Sequence, residues 1–141
     1  MKKRIYLDAC MVIDLVEGET SEQEMLASRL AGHRVYGSEL VRMEARIKAL
    51  KESRRGFLAE YDRYFNACQL VALERKLFDV AASLRIEHGL KTPDALHLAA
   101  AIGAGCDTFW TNDGRLADVA AKLLAVETWE TLKHPSSSQM P

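Results

Sequence analysis

The sequence lacks two features that would place a protein at a membrane or outside the cell. It has no apolar run near 18 residues, and its charged start, MKKRIYLDAC, contains no apolar signal-peptide segment. We therefore expect a cytoplasmic protein without a membrane span. An excess of positive charge is also missing, since the net charge is −1. This balance excludes a protein that holds nucleic acid by bulk positive charge, so any anionic partner must be bound by local contacts.

Cysteine is scarce, with only Cys10, Cys68 and Cys106. The number is odd, the spacing is wide, and the C-x-x-C pattern of zinc and redox sites does not occur. A disulfide framework and a cysteine zinc site are therefore not indicated. The three residues are predicted to be buried thiols in a reducing compartment.

What is present is enough apolar material for one domain, because the chain has 141 residues of which 48% are hydrophobic. Short apolar runs alternate with helical patterns, which is typical of a parallel sheet covered on both faces. We predict one α/β domain over residues 1–132 and a disordered tail over 133–141. The predicted strands are RIYLDA, RVYGS, QLVAL, DTFWT and LLAVET.

Two aspartates follow predicted strands. Asp8 comes at the end of the first strand, and Asp113 follows DTFWT. In a parallel sheet both positions lie at the carboxyl edge, where open α/β sheets place their sites. Each also has an ordinary explanation, since Asp8 could simply end a strand and Asp113 could cap the next helix.

A third acid, Glu44, lies within the helix predicted from Glu39 to about Lys51. We take the apolar face of this helix to be Leu40, Met43, Ile47 and Leu50, which places Glu44 on the side that meets the core. A buried carboxylate is costly unless it is paired or bound to a cation. A buried arginine is the ordinary partner, but Arg42 and Arg46 fall on the opposite side of the predicted helix.

The fourth acid, Asp94, stands at the start of the apolar segment LKTPDALHLAAA. Thr92 could cap this helix, and Pro93 suits its first position. Asp94 would then only meet the positive end of the helix dipole. A functional role requires that the other acids lie beside it.

These four segments resemble the acidic motifs of the PIN-domain ribonucleases. The residues that carry the resemblance are Asp8 in IYLDACMVIDLV, Glu44 in SELVRMEA, Asp94 in TPDALHLAAA and Asp113 in DTFWTNDGRL. The resemblance extends to about Trp129, and the length is similar to that of VapC-type toxins. The chain departs from the family after Asp8, where Ala9 and Cys10 replace the common small polar pair, so the support of Asp8 is in question.

The resemblance implies a three-layer α/β/α sandwich, an RNA substrate and a small cognate antitoxin, and we also expect a homodimer. The four acids would be the catalytic and metal-binding residues, flanked by Thr111 and Asn112, and cleavage would leave a 5′-phosphate and a 3′-hydroxyl. Four acids without a histidine or cysteine pattern also suit Mg²⁺ or Mn²⁺ rather than zinc. Such an ion can activate water and neutralise charge on the leaving oxygen.

Several other residues invite a functional interpretation that we rank lower. His97, one turn after Asp94, is a weak candidate for a general base and is more typical of a packed, hydrogen-bonded histidine. Asp14, Asp107 and Asp118 are expected to be solvated or capping residues rather than extra ligands. One set is either a solvated helix face or a track for the RNA backbone or for acidic antitoxin residues: Arg42, Arg46, Lys48, Lys51, Arg54 and Arg55. A second set serves core or dimer packing or stacks on bases: Tyr36, Tyr61, Tyr64 and Phe65.

Two alternatives to a ribonuclease remain. A phospho-signalling receiver module is also a small α/β domain with clustered acids, but QLVALERK offers no aspartate after the third strand. A degenerate PIN domain kept for protein binding is the other alternative, and the four acids argue against it. Phosphatases with two aspartates in the first loop do not fit DACMV, which lacks the second one.

Overall fold

The computed structural model describes residues 1–134, which form a five-stranded parallel sheet flanked by helices. The strands are β1 (Arg4–Leu7), β2 (Arg34–Gly37), β3 (Gln69–Leu70), β4 (Thr108–Trp110) and β5 (Ala125–Glu127). The helices are α1 (Ala9–Glu17), α2 (Thr20–Leu30), α3 (Glu39–Lys51), α4 (Arg55–Ala67), α5 (Arg75–His88), α6 (Thr92–Gly103), α7 (Gly114–Ala120) and α8 (Trp129–Lys133). The predicted three-layer α/β/α sandwich is confirmed.

The strand order is β3-β2-β1-β4-β5, with every neighbouring pair parallel. From β1 the chain builds outward through β2 and β3, and it then crosses back to place β4 on the other side of β1. The topological switch point therefore lies between β1 and β4, where ligand sites form in open parallel sheets. Receiver-like folds have the order 2-1-3-4-5 instead.

The core lies on both faces of β1 and β4. Tyr6 stacks on Phe109 with ring centroids 5.5 Å apart, and the ring of His97 from α6 lies 5.9 Å from Tyr6 on the same face. Ile5 and Trp110 alternate to the opposite face, near residues of α2 and α8. Burial of both faces explains why these strands are continuous apolar runs.

Polar side chains define where the helices beside the switch point begin. Asp8, Ser38 and Asp113 are the N-caps of α1, α3 and α7, and each side-chain oxygen accepts a hydrogen bond from a backbone N–H. Gly89 ends α5 with φ 67°, a left-handed conformation that glycine adopts without strain. Helix α6 begins at Thr92 with Lys91 as N-cap, so the expectation that Thr92 caps it is wrong.

The apolar stripe that we assigned to α3 faces the wrong way. Val41, Ala45 and Ala49 are buried, whereas Met43 is 53% and Ile47 is 55% exposed. Both faces of this helix carry apolar residues at helical spacing, and the small alanines fit the close approach of its neighbours. Glu44 is nevertheless half-buried, since it lies at the edge of the buried face.

The structure also bears on the three cysteines, on membrane-spanning helices and on where the predicted tail begins. Cys106 is buried, Cys10 and Cys68 are partly buried, and all three are free. Within residues 1–134, no helix has the length and apolar character that a membrane crossing requires. Lys133, predicted to begin the tail, is the last residue of α8, while residues 135–141 lie outside the described part of the chain.

Candidate metal centre and active site

Asp8 is held at the carboxyl end of β1 by contacts with the next strand. Its backbone N–H donates to the carbonyl of Trp110 on β4. One carboxylate oxygen, Oδ1, accepts from the N–H of Ala9 at 2.8 Å, and Oδ2 accepts from the Thr111 hydroxyl at 2.7 Å. Only 9% of the residue is exposed. The carboxylate is thus fixed by one contact at the start of α1 and one from the end of β4.

Thr111 supplies the support that the chain lacks directly after Asp8. The Cys10 thiol lies 3.8 Å from Asp8 Oδ2, a weak contact, and burial raises the pKa of this thiol to about 11. The fully buried Thr111 hydroxyl instead donates to Asp8 and accepts from the backbone N–H of Asp113 at 3.1 Å. It therefore connects two of the predicted site acids.

Glu44 has a histidine as its partner, not the arginine considered from the sequence. Its Oε1 lies 2.6 Å from Nε2 of His97, and the same nitrogen lies 3.8 Å from Oδ1 of Asp8. His97 is 1% exposed, and its Nδ1 lies 3.0 Å from the Tyr6 hydroxyl. Ligand atoms of Asp8, Glu44 and His97 all lie within 4.8 Å of one another, close enough to hold one metal ion.

Asp94 and Asp113 face the same cleft from two helix starts. Asp113 caps α7 by accepting from the N–H of Leu116 through Oδ1 at 3.1 Å. Asp94 lies in the first turn of α6, which has no side-chain capping bond. Together with Glu44 these acids line a cleft of about 440 Å³, bordered by Leu90, Lys91, Pro93 and Arg115.

Electrostatics indicates that the four acids form one group. Burial raises the pKa of Asp94 above its usual value, and the negative charges of Asp113, Asp8 and Glu44 raise it further, while His97 opposes them. A carboxyl surrounded by like charges is harder to ionise, and a cation between the groups relieves that repulsion. The predicted site residues are therefore brought together at one edge of the sheet.

Two cations at the rim of the cleft were not singled out from the sequence. Lys91 is the N-cap residue of α6, and Arg115 lies in the first turn of α7. Arg115 donates from Nη2 to the carbonyl of Gly89 at 2.8 Å, which fixes its guanidinium at the end of α5. A basic residue two positions after Asp113 was the signal available in the sequence.

The polar residues that we ranked below the four acids either have hydrogen-bond partners elsewhere in the chain or are exposed. Asp14 accepts from Trp129 Nε1 at 2.5 Å, and Asp107 accepts from the Arg4 N–H at the opposite end of the sheet. Asp118 is exposed on α7. Asn112, expected beside the acids, accepts from the Trp129 N–H. Asp14, Asp107 and Asn112 thus hydrogen-bond to other parts of the chain, and Asp118 is solvent-exposed.

Two arginines of the basic run have acidic neighbours, and two of the aromatics are buried. Arg42 lies 3.9 Å from Glu39 and 3.8 Å from Asp62, so acidic neighbours surround it. Arg54 pairs with Glu52 at 3.1 Å. Tyr61 and Phe65 are buried in the core, as the packing interpretation predicted.

Comparisons with known proteins agree with this architecture. VapBC2 from Rickettsia felis, bound to a fragment of promoter DNA, is similar with TM-score 0.72 and 16% identity, covering 89% of this chain and 98% of that one. A toxin–antitoxin complex from Klebsiella pneumoniae is similar with TM-score 0.68 and 20% identity, covering 88% of this chain and 96% of that one. The third structure is VapC20 from Mycobacterium tuberculosis, a toxin that cleaves the sarcin–ricin loop. It is similar with TM-score 0.65 and 17% identity, covering 86% of this chain and 96% of that one.

These identities are low, so the structural matches establish the fold alone. No curated protein sequence matches the chain significantly. A sequence model of the PIN domain, however, matches residues 5–122. Because that match spans most of the chain, the protein belongs to the PIN-domain family.

Proposed function

We propose that this protein is a Mg²⁺- or Mn²⁺-dependent endoribonuclease and the toxin of a toxin–antitoxin pair. The observation that carries the proposal is the grouping of four acids, Asp8, Glu44, Asp94 and Asp113, at the switch point of a parallel sheet. The PIN match and the nuclease named among the structural relatives support the same chemistry.

The donor set suits a hard divalent cation. Four carboxylates would supply oxygen ligands. Burial raises the pKa of Asp94 and the neighbouring charges of Asp113, Asp8 and Glu44 raise it further, which supports a site that a cation would stabilise. Asp8 and Glu44 would hold the ion at the buried side, and Asp94 and Asp113 would hold it at the side of the cleft. When bound, the ion would supply an activated water and positive charge beside the scissile phosphate.

The protein's own groups prepare this chemistry. Thr111 and the N–H of Ala9 fix the two oxygens of Asp8, and His97 fixes one oxygen of Glu44. Capping of α7 fixes Oδ1 of Asp113. Carboxylates held in this way need little reorganisation when a cation and a phosphate arrive, which is the main contribution a scaffold makes to electrostatic catalysis.

RNA is the substrate that we infer, and the rim of the cleft supports an anionic polymer. Lys91 and Arg115 line the same cleft as Asp94 and Asp113, so a backbone phosphate in the cleft would find positive charge beside the acids. The net charge of −1 makes such local cations necessary. We infer hydrolysis to a 5′-phosphate and a 3′-hydroxyl.

A small antitoxin is the partner that we propose, because the Klebsiella pneumoniae structure that the chain resembles is a toxin–antitoxin complex. We also propose a homodimer and a cytoplasmic location. A short reading frame directly before or overlapping this one would identify the antitoxin. Its product should form a complex with the protein on co-expression and should suppress cleavage, and sedimentation of the isolated protein gives the oligomeric state.

The test of the activity is cleavage of structured and single-stranded RNA by purified protein. Cleavage is expected with Mg²⁺ or Mn²⁺, and it should stop when EDTA is added. Asp113→Asn should abolish it. The matched control is Asp118→Asn, an exposed aspartate on the same helix, which should leave cleavage unchanged. Analysis of the product ends tests the inferred polarity.

Two results would remove this mechanism. Equal cleavage in excess chelator would show that no divalent cation is needed, and full activity of Asp113→Asn would show that the acid group is not the site. Absence of cleavage together with antitoxin binding would favour the degenerate PIN domain, which binds protein and performs no chemistry.

A further inference from the structure

A chain of buried hydrogen bonds links the start of α3 to Glu44 in the middle of the same helix. The Val41 N–H donates to Ser38 Oγ at 3.3 Å, and Ser38 Oγ lies 3.0 Å from the Tyr6 hydroxyl. That hydroxyl lies 3.0 Å from His97 Nδ1, and His97 Nε2 lies 2.6 Å from Glu44 Oε1. The chain thus leaves α3, passes through β1 and α6, and returns to α3.

The direction of the hydrogen bond to Glu44 follows from the carboxylate. An ionised carboxylate can only accept, so Nε2 of His97 carries the proton that lies toward Glu44. A second hydrogen bond joins Nδ1 of His97 to the Tyr6 hydroxyl. Burial raises the pKa of Tyr6 far above its usual value, so this hydroxyl keeps its proton. Ser38 Oγ is the second partner of the same hydroxyl.

We propose that His97 is a positioning residue for the metal centre, with Tyr6 fixing the orientation of its ring. The Nε2–H of His97 occupies Oε1 of Glu44, so Oε2 is the oxygen that would remain for a divalent cation. This inference rests on the proposed function, because it concerns the same four acids. It assigns to the histidine the role of a donor, and neither that of a general base nor that of a metal ligand.

The surroundings of His97 fit a donor. Both ring nitrogens have a partner, and the ring is 1% exposed, which separates it from bulk water and substrate. Its Nε2 also lies 3.8 Å from Asp8 Oδ1, so the positive end of the N–H dipole is near both carboxylates. Partners of this kind hold ligand side chains in place for an incoming metal ion.

Two amide substitutions separate the roles of the ring nitrogens. The side-chain amide of glutamine reaches about as far as Nε2, whereas that of asparagine reaches only as far as Nδ1. His97→Gln should therefore retain a donor to Glu44, and His97→Asn should lose it. The measurement is calorimetric titration of the metal-free protein with Mn²⁺ alone, without RNA.

We expect His97→Asn to raise the Kd for Mn²⁺ by about 10- to 100-fold, the usual loss when a partner of a metal ligand is removed. His97→Gln should bind Mn²⁺ close to the wild-type value. A general loss of packing would affect both variants alike, so rescue by glutamine is the result that a merely structural role does not give. Melting temperatures without metal show whether each variant is folded.

Tyr6→Phe tests the second half of the proposal and remains available if His97→Asn fails to fold. The phenyl ring can keep the stacking on Phe109, and only the hydroxyl is lost. The Kd for Mn²⁺ should rise in the wild-type background. It should not rise further in the His97→Asn background, because Glu44 is already released there, so the two changes are expected to be strongly non-additive.

The possible outcomes are distinguishable. Equal losses of affinity in His97→Gln and His97→Asn overturn the inference in favour of an imidazole that ligates the metal or only packs. Unchanged affinity in both variants, or additive effects of Tyr6→Phe, also overturn it. If the wild-type protein neither binds Mn²⁺ nor cleaves RNA, the proposed function fails, and the positioning role fails with it.

Discussion

The hydroxyl of Thr111 donates to Oδ2 of Asp8 over 2.7 Å, between residues that are 103 positions apart in the sequence. The contact joins the ends of the two neighbouring strands β1 and β4 on either side of the switch point. It supplies a hydroxyl donor to Asp8, which the side chains of Ala9 and Cys10 do not offer. Ala9 contributes only its backbone N–H, so Thr111 is the side chain that fixes the second carboxylate oxygen.

Thr111→Val tests this compensation, because valine keeps the shape and removes only the hydroxyl. Hydrogen bonds to charged groups contribute about 1.5–3 kcal/mol, so the free energy of unfolding should fall by about that amount. The Kd for Mn²⁺ should rise by about tenfold or more, since Asp8 loses a fixed oxygen. Urea unfolding and calorimetric titration measure the two effects.

The chain provides a matched control for this substitution at Thr108, the first residue of β4, three positions before Thr111. Thr108 is also buried, at 6% exposure, but within the described residues its hydroxyl has no hydrogen-bond partner. Thr108→Val should therefore be neutral or stabilising and should leave metal binding unchanged. A similar loss of stability in both variants would show that buried threonine hydroxyls in β4 contribute independently of Asp8.

The fold could be predicted from the sequence because its signals are local. Each strand is a short apolar run, each crossover contains a helical pattern, and strand ends in a parallel sheet lie at one edge. Asp8 and Asp113 were therefore expected at this edge. Helix α3 was oriented incorrectly because its apolar residues lie on two faces, and periodicity alone does not show that the small side chains of Ala45 and Ala49 are the buried ones.

The contacts that hold the site could not be predicted in the same way. His97 meets Glu44 across 53 positions and Tyr6 across 91, and no local pattern specifies either pair. The arginine partner considered for Glu44 was a reasonable choice by residue type, yet the fold brings α6 rather than a basic residue against it. Pairings of this kind depend on how the helices pack on the sheet, and that packing cannot be deduced from the local patterns of a single sequence.

The rim cations give a prediction for RNA binding. Lys91→Gln and Arg115→Gln should each weaken binding of a short single-stranded RNA, and each should reduce the slope of log affinity against log salt by about 0.7. Anisotropy titrations at several salt concentrations measure the slope, in an Asp113→Asn background where cleavage is expected to be absent.

Arg42→Gln is the control for these variants, because Arg42 already has two acidic neighbours. For Arg42→Gln, the slope of log affinity against log salt should equal that of the parent protein. A reduced slope for Arg42→Gln with unchanged slopes for the rim variants would move the RNA path to α3, as the basic run of the sequence allowed.

The pH dependence of stability should report the crowding of the acids. Because the folded protein raises the pKa of Asp94, folding disfavours its ionised form. The stability that this group contributes is fully present below the usual value of 3.8 and is lost as the pH rises through the raised value. The difference in unfolding free energy between Asp94→Asn and wild type, measured without metal, should therefore increase across that window and then level off.

Asp94→Asn at neutral pH separates a metal-site residue from one that only stabilises the start of α6. If a residue only interacts favourably with the helix dipole, removing its charge lowers the free energy of unfolding by a few tenths of a kcal/mol to about 1 kcal/mol. Metal binding is then unaffected. Asp94 instead makes no capping bond and is crowded by Asp113 and Asp8. The metal-free variant should therefore melt at the wild-type temperature or above it, and it should lose both the rise in melting temperature on adding Mn²⁺ and most of the cleavage. A lower melting temperature without metal, together with an intact Mn²⁺ shift, would assign Asp94 to the helix and remove it from the site.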